Sequence, residues 1–221
     1  MVRPILREEP KILYQDPYYL GVYKPANMPT QKDSSGDYSL LQWVKEMLRV
    51  KRGGNEYPFV GLLHRLDRPV PGVMLFATTK EAASRFGLAL KRREVRKVYY
   101  AVVKGIPERR KWVLRDYLRW GRDEREKEAI SKYRVLASQG GLSLLEVELV
   151  TGRHHQIRIQ LSKIGHPVVN DRRYGSFLIP NRCIGLLCKR IEFMHFFRDE
   201  PVILTSPVPK AFPWQGSPLN P

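Results

Sequence analysis

The segment Gly61–Ala77 constrains the fold of this chain more than any other stretch. It reads GLLHRLDRPVPGVMLFA, so that one carboxylate, Asp67, stands between two arginines and ahead of the apolar run Val73–Ala77. An apolar run preceded by proline and glycine predicts a buried strand that is entered through a bend. Neighbouring arginines favour the ionised form of a carboxylate, which can then act as a nucleophile or a base. A surface ion pair is the ordinary alternative for such a sequence.

The charge of the chain limits the class of partner. It has 39 basic and 22 acidic residues, a net charge of +17 and a pI near 10.1. This excess is typical of nucleic-acid binding, because a basic surface attracts polyanions. A membrane is the other common anionic partner, but the sequence shows no lipidation motif and no apolar run near the roughly 18 residues of a membrane helix. We therefore expect RNA or DNA as the partner and no membrane association.

The cysteines, histidines and N-terminus indicate a cytoplasmic protein without a metal site. Cys183 and Cys188 have no metal-type pairing elsewhere and are interpreted as free thiols of an intracellular protein. The N-terminus MVRPILREEPK lacks the apolar core of a signal peptide. His154 and His155 are predicted to begin a helix, where adjacent side chains point about 100° apart and do not easily share an ion.

Hydrophobic periodicity predicts an α+β domain, with helices laid against a sheet. Helices are expected to begin after Ser39, after Thr78 or Thr79, and at about His154, the last continuing through Ile164. Strands are expected at 97–104, 129–137 and 142–150, the last two joined by a hairpin at the Gly140-Gly141 pair. Residues 119–127 are interpreted as an exposed loop, and the tail from Ser206 as a surface segment.

Five sequence blocks carry a family resemblance. In chain order they are Val22–Pro29 (VYKPANMP), His64–Asp67 with Gly72-Val73 (HRLD…GV), Lys97–Gly105 (KVYYAVVKG), Thr151–Arg158 (TGRHHQIR) and Gly165–Gly175 (GHPVVNDRRYG). They resemble, in the same order, the conserved segments of the RluA-like family of RNA pseudouridine synthases. The resemblance covers about residues 12 to 208.

This resemblance implies the fold, the reaction and the partner. The fold would be the pseudouridine synthase catalytic fold, a mixed, largely antiparallel sheet with flanking helices and a central RNA-binding cleft. Residues 1–221 would form a single catalytic domain without an appended RNA-binding module. The enzyme would be an isomerase that flips a uridine of ribosomal or transfer RNA from its stack, detaches uracil from the ribose and rejoins it through carbon 5. It would need no metal or organic cofactor and no protein partner, and would act as a monomer.

The resemblance also assigns roles to individual residues. Asp67 matches the catalytic aspartate, either as nucleophile or as base on the ribose. Tyr99 matches the tyrosine that packs on the flipped uracil. Arg158 matches the arginine paired with the catalytic carboxylate, which fits the need to keep that group ionised. The expected RNA-binding residues are Arg65, which would fill the space vacated by the base, and His64, Arg68, Lys97, Arg153 and Leu187, the last as an apolar residue of the pocket.

The chain departs from the family pattern at several positions. Val70-Pro71 stands where Thr-Ser is usual, Cys188 where a histidine is expected, and Gln160 where a histidine is common. We expect these departures to alter the rim and the choice of target, and to leave Asp67, Tyr99 and Arg158 untouched. The alternatives are a catalytically weak RNA-binding or RNA-folding protein of the same fold, and a basic DNA-binding protein, for which the sequence has no helix-turn-helix or zinc pattern.

Overall fold

The computed structural model describes residues 8–51, 53–54, 56–120, 123–175, 183–211 and 213–214. The chain divides into two compact units, the first of Met1–Val95 with Arg190–Pro207 and the second of Arg96–Lys189 with Val208–Pro221. In chain order the elements are β1 (Lys11–Gln15), β2 (Tyr19–Lys24), α1 (Leu40–Lys51), β3 (Gly61–Leu62), β4 (Gly72–Ala77), α2 (Lys80–Lys91), β5 (Arg96–Lys104), β6 (Lys111–Trp120), β7 (Asp123–Gln139), β8 (Leu142–Leu149), α3 (Gln156–Lys163), β9 (Leu186–Met194) and β10 (Pro201–Thr205).

The first unit is built on the strand order β1-β2-β4-β9, with β10 beside β9 and β3 beside β4. Every residue of β2 and of β4 is buried. Their apolar runs, unlike the alternating pattern of a half-exposed strand, follow from burial on both faces. The buried strand predicted at Val73–Ala77 is therefore confirmed as β4, and the bend that carries Asp67 leads directly into it.

The second unit has the strand order β9-β5-β8-β7-β6. The pairs β5–β8, β7–β8 and β6–β7 are all antiparallel. The hairpin between β7 and β8 turns at Gly140 and Gly141, both with positive φ, as the glycine pair predicts. The α+β class with a largely antiparallel sheet is therefore confirmed.

The helices begin close to the predicted positions. Thr79 caps α2, since its side chain accepts a hydrogen bond from the amide of Ala82. The helix predicted from His154 begins instead at Gln156, because His155 adopts φ 52°, a left-handed conformation that cannot continue a helix. Within the described part of the chain, no helix is long and apolar enough to cross a membrane.

Two expectations for irregular segments are wrong. Residues 119–127 were expected to form a loop, but residues 119–120 belong to β6 and residues 123–127 to β7, and these two strands pair with each other. Residues 121–122 lie outside the described residues. The tail was expected to lie on the surface, but Trp214 is fully buried in a core cluster with Val102, Leu144, Val169 and Leu187. Its indole nitrogen donates to the carbonyl of Ile184 at 3.2 Å. The large apolar ring of Trp214 outweighs the polar and proline-rich composition around it.

We expect Trp214→Ala to lower the free energy of unfolding by about 3–5 kcal/mol, because it leaves a cavity and an unpaired carbonyl. Urea denaturation of the purified protein measures this loss. Leu88→Ala is the control, since Leu88 is 50% exposed in a helix where alanine is favoured. Equal stability of the two variants would contradict a structural role for the tail.

Candidate active site

The backbone around Asp67 is fixed by hydrogen bonds from three directions. The hydroxyl of Thr30 donates to the carbonyl of Leu66 at 2.8 Å and accepts from its amide at 3.3 Å. The amide of Val70 donates to the carbonyl of Asp67 at 2.9 Å, closing a turn. Asp67 itself is half-buried. The predicted bend is therefore a rigid turn that holds a carboxylate at the entrance to β4.

The third anchor of this turn is a buried lysine. Lys24, at the end of β2, is 0% exposed, and its ammonium donates to the carbonyls of Pro25, Met28 and Arg68 at 3.1, 2.8 and 3.0 Å. Three acceptors match the three donors of an ammonium group. Burial lowers the pKa of Lys24 to about 7, while the charge of Asp67 acts in the opposite direction. The protonation of Lys24 is thus linked to the carboxylate that it helps to position.

The residues that flank Asp67 in the sequence differ in their exposure and in their hydrogen-bond partners. The ring nitrogen Nε2 of His64 accepts from the amide of Leu75 at 3.0 Å, which ties the HRLD segment to β4. Arg65 is exposed. The guanidinium of Arg68 is 40% exposed and is held by Ser35 and the carboxylates of Asp33 and Asp37. The structure therefore groups the four predicted residues of this segment around one turn, and the roles of His64, Arg65 and Arg68 in RNA binding stay predictions.

Tyr99 lies in the middle of β5 with its ring almost fully buried. Register pairs Tyr99 with Val147 of β8, whereas its neighbour Tyr100 packs on the opposite face with the Trp214 cluster. The predicted alternation of β5 is therefore confirmed. Leu187 is 0% exposed in that opposite-face cluster, so the structure gives it a packing role, and its predicted contact with RNA stays a prediction.

Cys188 is the β9 residue that meets the Tyr99 side of the sheet. Its thiol shares a hydrogen bond with the Tyr99 hydroxyl, and burial raises the pKa of Cys188 to about 12 despite this bond and the charge of Lys97. Burial also lowers the pKa of Lys97. The expectation that no departure from the family pattern touches Tyr99 is wrong, because the residue in place of the expected histidine contacts its hydroxyl. The Tyr99 hydroxyl is thus hydrogen-bonded to a buried thiol, which in turn feels the charge of the partly buried Lys97.

Arg158 forms a buried, two-point ion pair with Asp171. Its Nε and Nη2 donate to the two carboxylate oxygens at 2.7 and 2.8 Å, and the two side chains are 6% and 0% exposed. Burial alone would raise the pKa of Asp171, but the hydrogen bonds and charge of Arg158 and the amides of Arg173 and Tyr174 hold it below its usual 3.8. The pair fixes the plane of the guanidinium, because a bidentate contact leaves it little freedom to rotate.

The turn after Asp171 completes this support. The amide of Gly175 donates to the carbonyl of Asp171 at 2.8 Å, and a Cβ at Gly175 would lie 2.7 Å from that oxygen, so only glycine fits. The Tyr174 hydroxyl shares a hydrogen bond of 3.0 Å with Nδ1 of His155. The block GHPVVNDRRYG therefore builds the support for Arg158.

The geometric reason given against a shared histidine site is wrong. His154 and His155 precede α3, and their rings lie 3.6 Å apart at 37° instead of pointing apart on a helix. The left-handed backbone of His155 brings the rings together.

The remaining predicted RNA-binding side chains lie in the second unit. Lys97 belongs to β5, and Gly152 lies against it, since a Cβ there would be 3.3 Å from its ammonium nitrogen. Arg153 is exposed, and its Nε donates to the carbonyl of Glu128 at 2.9 Å.

Sequence reasoning missed the roles of Lys24, Asp171 and Cys188. Lys24 and Asp171 both stand in blocks that carried the family resemblance, but a sequence does not state which carbonyls or which guanidinium they bind. Cys188 was noted only as a departure from the pattern. Its contact with Tyr99 depends on the pairing of β9 with β5, for which the sequence gives no register signal.

We expect Lys24→Met to reduce stability by about 2–4 kcal/mol and to lower catalytic activity, because it leaves three carbonyls around the Asp67 turn without their donor. Thermal unfolding and single-turnover assays measure the two effects. Lys51→Met removes an exposed lysine with one side-chain bond, to Gln15, and should change neither. A Lys24→Met protein as stable as the Lys51→Met control would argue against this anchor.

We expect Asp171→Asn to lower the free energy of unfolding by about 3–5 kcal/mol, because it leaves a buried guanidinium without its counter-charge. The folded-state pKa of Asp171 is depressed, so the carboxylate stabilises the fold above about pH 4, and that contribution disappears as the pH falls below 3.8. Urea unfolding of wild type and variant between pH 3 and 7 should therefore show a difference that shrinks at low pH. Adding Arg158→Met should cost less than the sum of the two single changes.

Comparisons with known proteins identify the family of this chain. The family model described as RNA pseudouridylate synthase matches residues 18–163, about two thirds of the chain. The tRNA pseudouridine synthase C of Vibrio parahaemolyticus is 31% identical over 235 residues, covering 94% of this chain and 93% of that protein. The ribosomal large subunit pseudouridine synthase C of Buchnera aphidicola is 29% identical over 219 residues, covering 91% and 68%.

Solved structures show the same fold. The human RNA pseudouridylate synthase domain containing 4 superimposes with a TM-score of 0.77 at 21% identity, covering 90% of this chain and 88% of that one. The corresponding domain-containing 1 protein gives a TM-score of 0.72 at 23% identity. The pseudouridine synthase fold expected from the sequence is thus confirmed. The family match spans the turn of Asp67, the strand of Tyr99 and the whole of α3, and the chain belongs to the RluA-like family of RNA pseudouridylate synthases, isomerases that convert uridine in RNA to pseudouridine.

Proposed function

We propose that this enzyme isomerises one or more specific uridines of ribosomal or transfer RNA, with Asp67, Tyr99 and Arg158 as its catalytic residues. The observation that carries the proposal is the rigid turn at Asp67, which presents a carboxylate from a backbone anchored by Thr30 and Lys24. The names of the curated relatives support both RNA classes, since one acts on the large ribosomal subunit and another on tRNA.

Asp67 starts the reaction on the flipped nucleotide. As a nucleophile it would attack carbon 1 of the ribose, and as a base it would remove a ribose proton; either route breaks the bond between nitrogen 1 of uracil and the ribose. The freed uracil turns and forms a new bond from its carbon 5 to the same ribose carbon. In the first route this displaces the Asp67 carboxylate from that carbon, and in the second Asp67 returns the removed proton to the ribose. Carbon 5 then loses its proton and nitrogen 1 gains one, so that no electrons are exchanged with another molecule.

A rigid carboxylate favours this chemistry for a physical reason. Orientation of the reacting groups before the reaction removes part of the entropic barrier. The carbonyls at residues 66, 67 and 68 each accept a hydrogen bond, so the turn has little freedom left to lose when RNA binds. The protein thus meets the cost of ordering Asp67 when it folds and not when it binds its substrate.

Tyr99 and Arg158 have complementary roles in the proposal. Tyr99 is fixed in β5, and its hydroxyl is hydrogen-bonded to the thiol of Cys188. Its ring provides a flat apolar surface for the uracil, and its hydroxyl can assist proton transfer at carbon 5. We assign Arg158 the role that the family resemblance implies, that of the arginine paired with the catalytic carboxylate. Its ion pair with Asp171 supports this role, because an oriented guanidinium can favour one position of a carboxylate over others.

The remaining assignments stay predictions. We propose that Arg65, exposed beside Asp67, enters the space left by the flipped base, and that His64, Arg68, Lys97, Arg153 and Leu187 contribute to an RNA-binding cleft. The net charge of +17 supports RNA as the partner. We also propose that one catalytic domain acts as a monomer in the cytoplasm, without a metal, an organic cofactor or a protein partner.

We expect Asp67→Asn to reduce pseudouridine formation by at least about 100-fold while RNA binding is retained, because the amide keeps the shape of the side chain but loses the reacting oxygen charge. Purified proteins are incubated with bulk RNA, and the nucleosides are quantified by mass spectrometry. Asp199→Asn is the control, since Asp199 is exposed and has a positive φ that asparagine accepts.

The target is identified in cells. Pseudouridine is mapped by carbodiimide-based sequencing in RNA from cells with the intact gene, with the gene deleted, and with Asp67→Ala. A site lost in both altered strains would establish the activity, its dependence on Asp67 and the RNA. If neither the cells nor the purified protein showed any modified uridine, the alternative of a catalytically weak RNA-binding protein would replace this proposal.

A further inference from the structure

Arg68, the residue that follows Asp67, forms ion pairs and a hydrogen bond with an acidic loop. We define the acidic loop as residues 32–38, which connect the segment after β2 to α1. Arg68 donates from Nη1 to the hydroxyl of Ser35 at 2.8 Å and lies 3.5 Å from a carboxylate oxygen of Asp33. Its Nη2 is paired with the carboxylate of Asp37. Two carboxylates and a hydroxyl thus surround one guanidinium, a set of oxygen acceptors like that of a phosphate group.

The loop is ordered by its own hydrogen bonds as well as by Arg68. Asp33 accepts from the amide of Ser35 at 3.0 Å, and the hydroxyl of Ser35 accepts from the amide of Asp37 at 3.1 Å. Hydrogen bonds from the hydroxyl and the amide of Ser35, together with the charge of Arg68, hold the pKa of Asp33 below its usual 3.8. Arg68 does the same for Asp37. Both carboxylates are therefore ionised at neutral pH and aimed at the same guanidinium.

The ion pairs of Arg68 with Asp33 and Asp37 lie where another anion can replace the two carboxylates. The backbone of Arg68 is held by Lys24, which donates to its carbonyl at 3.0 Å, so the base of the side chain stays next to Asp67. The side chains of Arg68, Asp33 and Asp37 are 40%, 41% and 53% exposed. Exposed ion pairs are weak, because water competes for both partners. The anchored arginine can therefore release the loop without any change in the turn.

We propose that the acidic loop competes with RNA phosphate for Arg68, so that a substrate must displace Asp33 and Asp37 to place a phosphate beside the catalytic turn. This rests on the proposed function, in which RNA is the substrate and Arg68 contacts it. An arginine binds carboxylate and phosphate with the same donor geometry, so the two ligands exclude each other. The loop thereby lowers the affinity of the enzyme for RNA in general.

The consequence is selectivity rather than tight binding. Every RNA is attracted by the net charge of +17, whatever its sequence or shape. An RNA that brings no phosphate to Arg68 leaves this arginine paired with Asp33 and Asp37 and gains no contact from it. Such an RNA also meets two carboxylates that share a single guanidinium, and their remaining negative charge repels its backbone. Discrimination by such a repulsive element is a general route to specificity.

The test measures the affinity for RNA when the loop loses its charge. Asp37→Asn, and the double change Asp33→Asn with Asp37→Asn, are titrated against fluorescein-labelled, unfractionated transfer RNA by fluorescence anisotropy at several salt concentrations. We expect Kd to fall by about twofold to fivefold for each carboxylate removed, the range that corresponds to an exposed ion pair.

Two controls separate competition at Arg68 from a general change in charge. Glu81→Gln also removes one negative charge, from a carboxylate that is 61% exposed and paired with Arg85 at 2.7 Å. Glu81→Gln should leave Kd almost unchanged. In an Arg68→Met background, Asp37→Asn should no longer lower Kd. Equal tightening by Glu81→Gln, a gain that persists without Arg68, or an unchanged Kd in Asp37→Asn would each overturn the proposal.

The measured Kd for RNA does not depend on catalytic turnover, so the proposed function and the proposed competition can fail separately. If wild type makes no pseudouridine but Asp37→Asn binds RNA more tightly through Arg68, the proposed function fails and the competition stands. If wild type is active and the affinity does not respond to the loop, the proposed function stands and the competition fails. Circular dichroism of each variant confirms that the fold is intact.

Discussion

The buried ammonium of Lys24 is the interaction on which the organisation of the catalytic turn depends. It joins the end of β2 to the residue after Asp67 through carbonyls that would otherwise lack a donor in the protein interior. Burying a lysine is unfavourable unless its donors are satisfied and a counter-charge lies close. Three carbonyls satisfy its donors and Asp67 opposes the effect of burial, so that the pKa of Lys24 falls only to about 7 despite complete burial. These contacts allow a polar turn to be seated beside strands that are buried on both faces.

Two arginines show how burial decides what an ion pair does. Arg158 and Asp171 are almost entirely buried and bonded at two points, so their pair is a fixed part of the fold. Arg68, with Asp33 and Asp37, has similar chemistry but is exposed to water. Because water weakens the second set, its members can change partners, whereas the first set can only be broken at high cost. One pair therefore serves positioning, and the other is suited to competition with a ligand.

Much of the fold was predictable from the sequence. The strand at β4, the strand at β5 with its alternating faces, the capped helix α2 and the glycine hairpin between β7 and β8 are local patterns, and local patterns determine local structure. Predictions failed where a long-range contact prevailed. Charged residues of the β6–β7 hairpin were read as a loop because strand pairing is not visible in composition, and Trp214 is buried by residues far away in the chain.

The sequence by itself determined the chemistry: a carboxylate at a proline-rich bend, a tyrosine in a strand, an arginine in a helix, and a basic chain that matches one enzyme family. Only the tertiary structure decided the partners of these groups. The hydrogen bond of Cys188 to Tyr99, the pairing of Arg158 with Asp171 and the three carbonyls at Lys24 each join residues from different elements. Residue types limit which bonds are possible, but the packing of strands and helices selects which of them form, because burial leaves each polar group few partners.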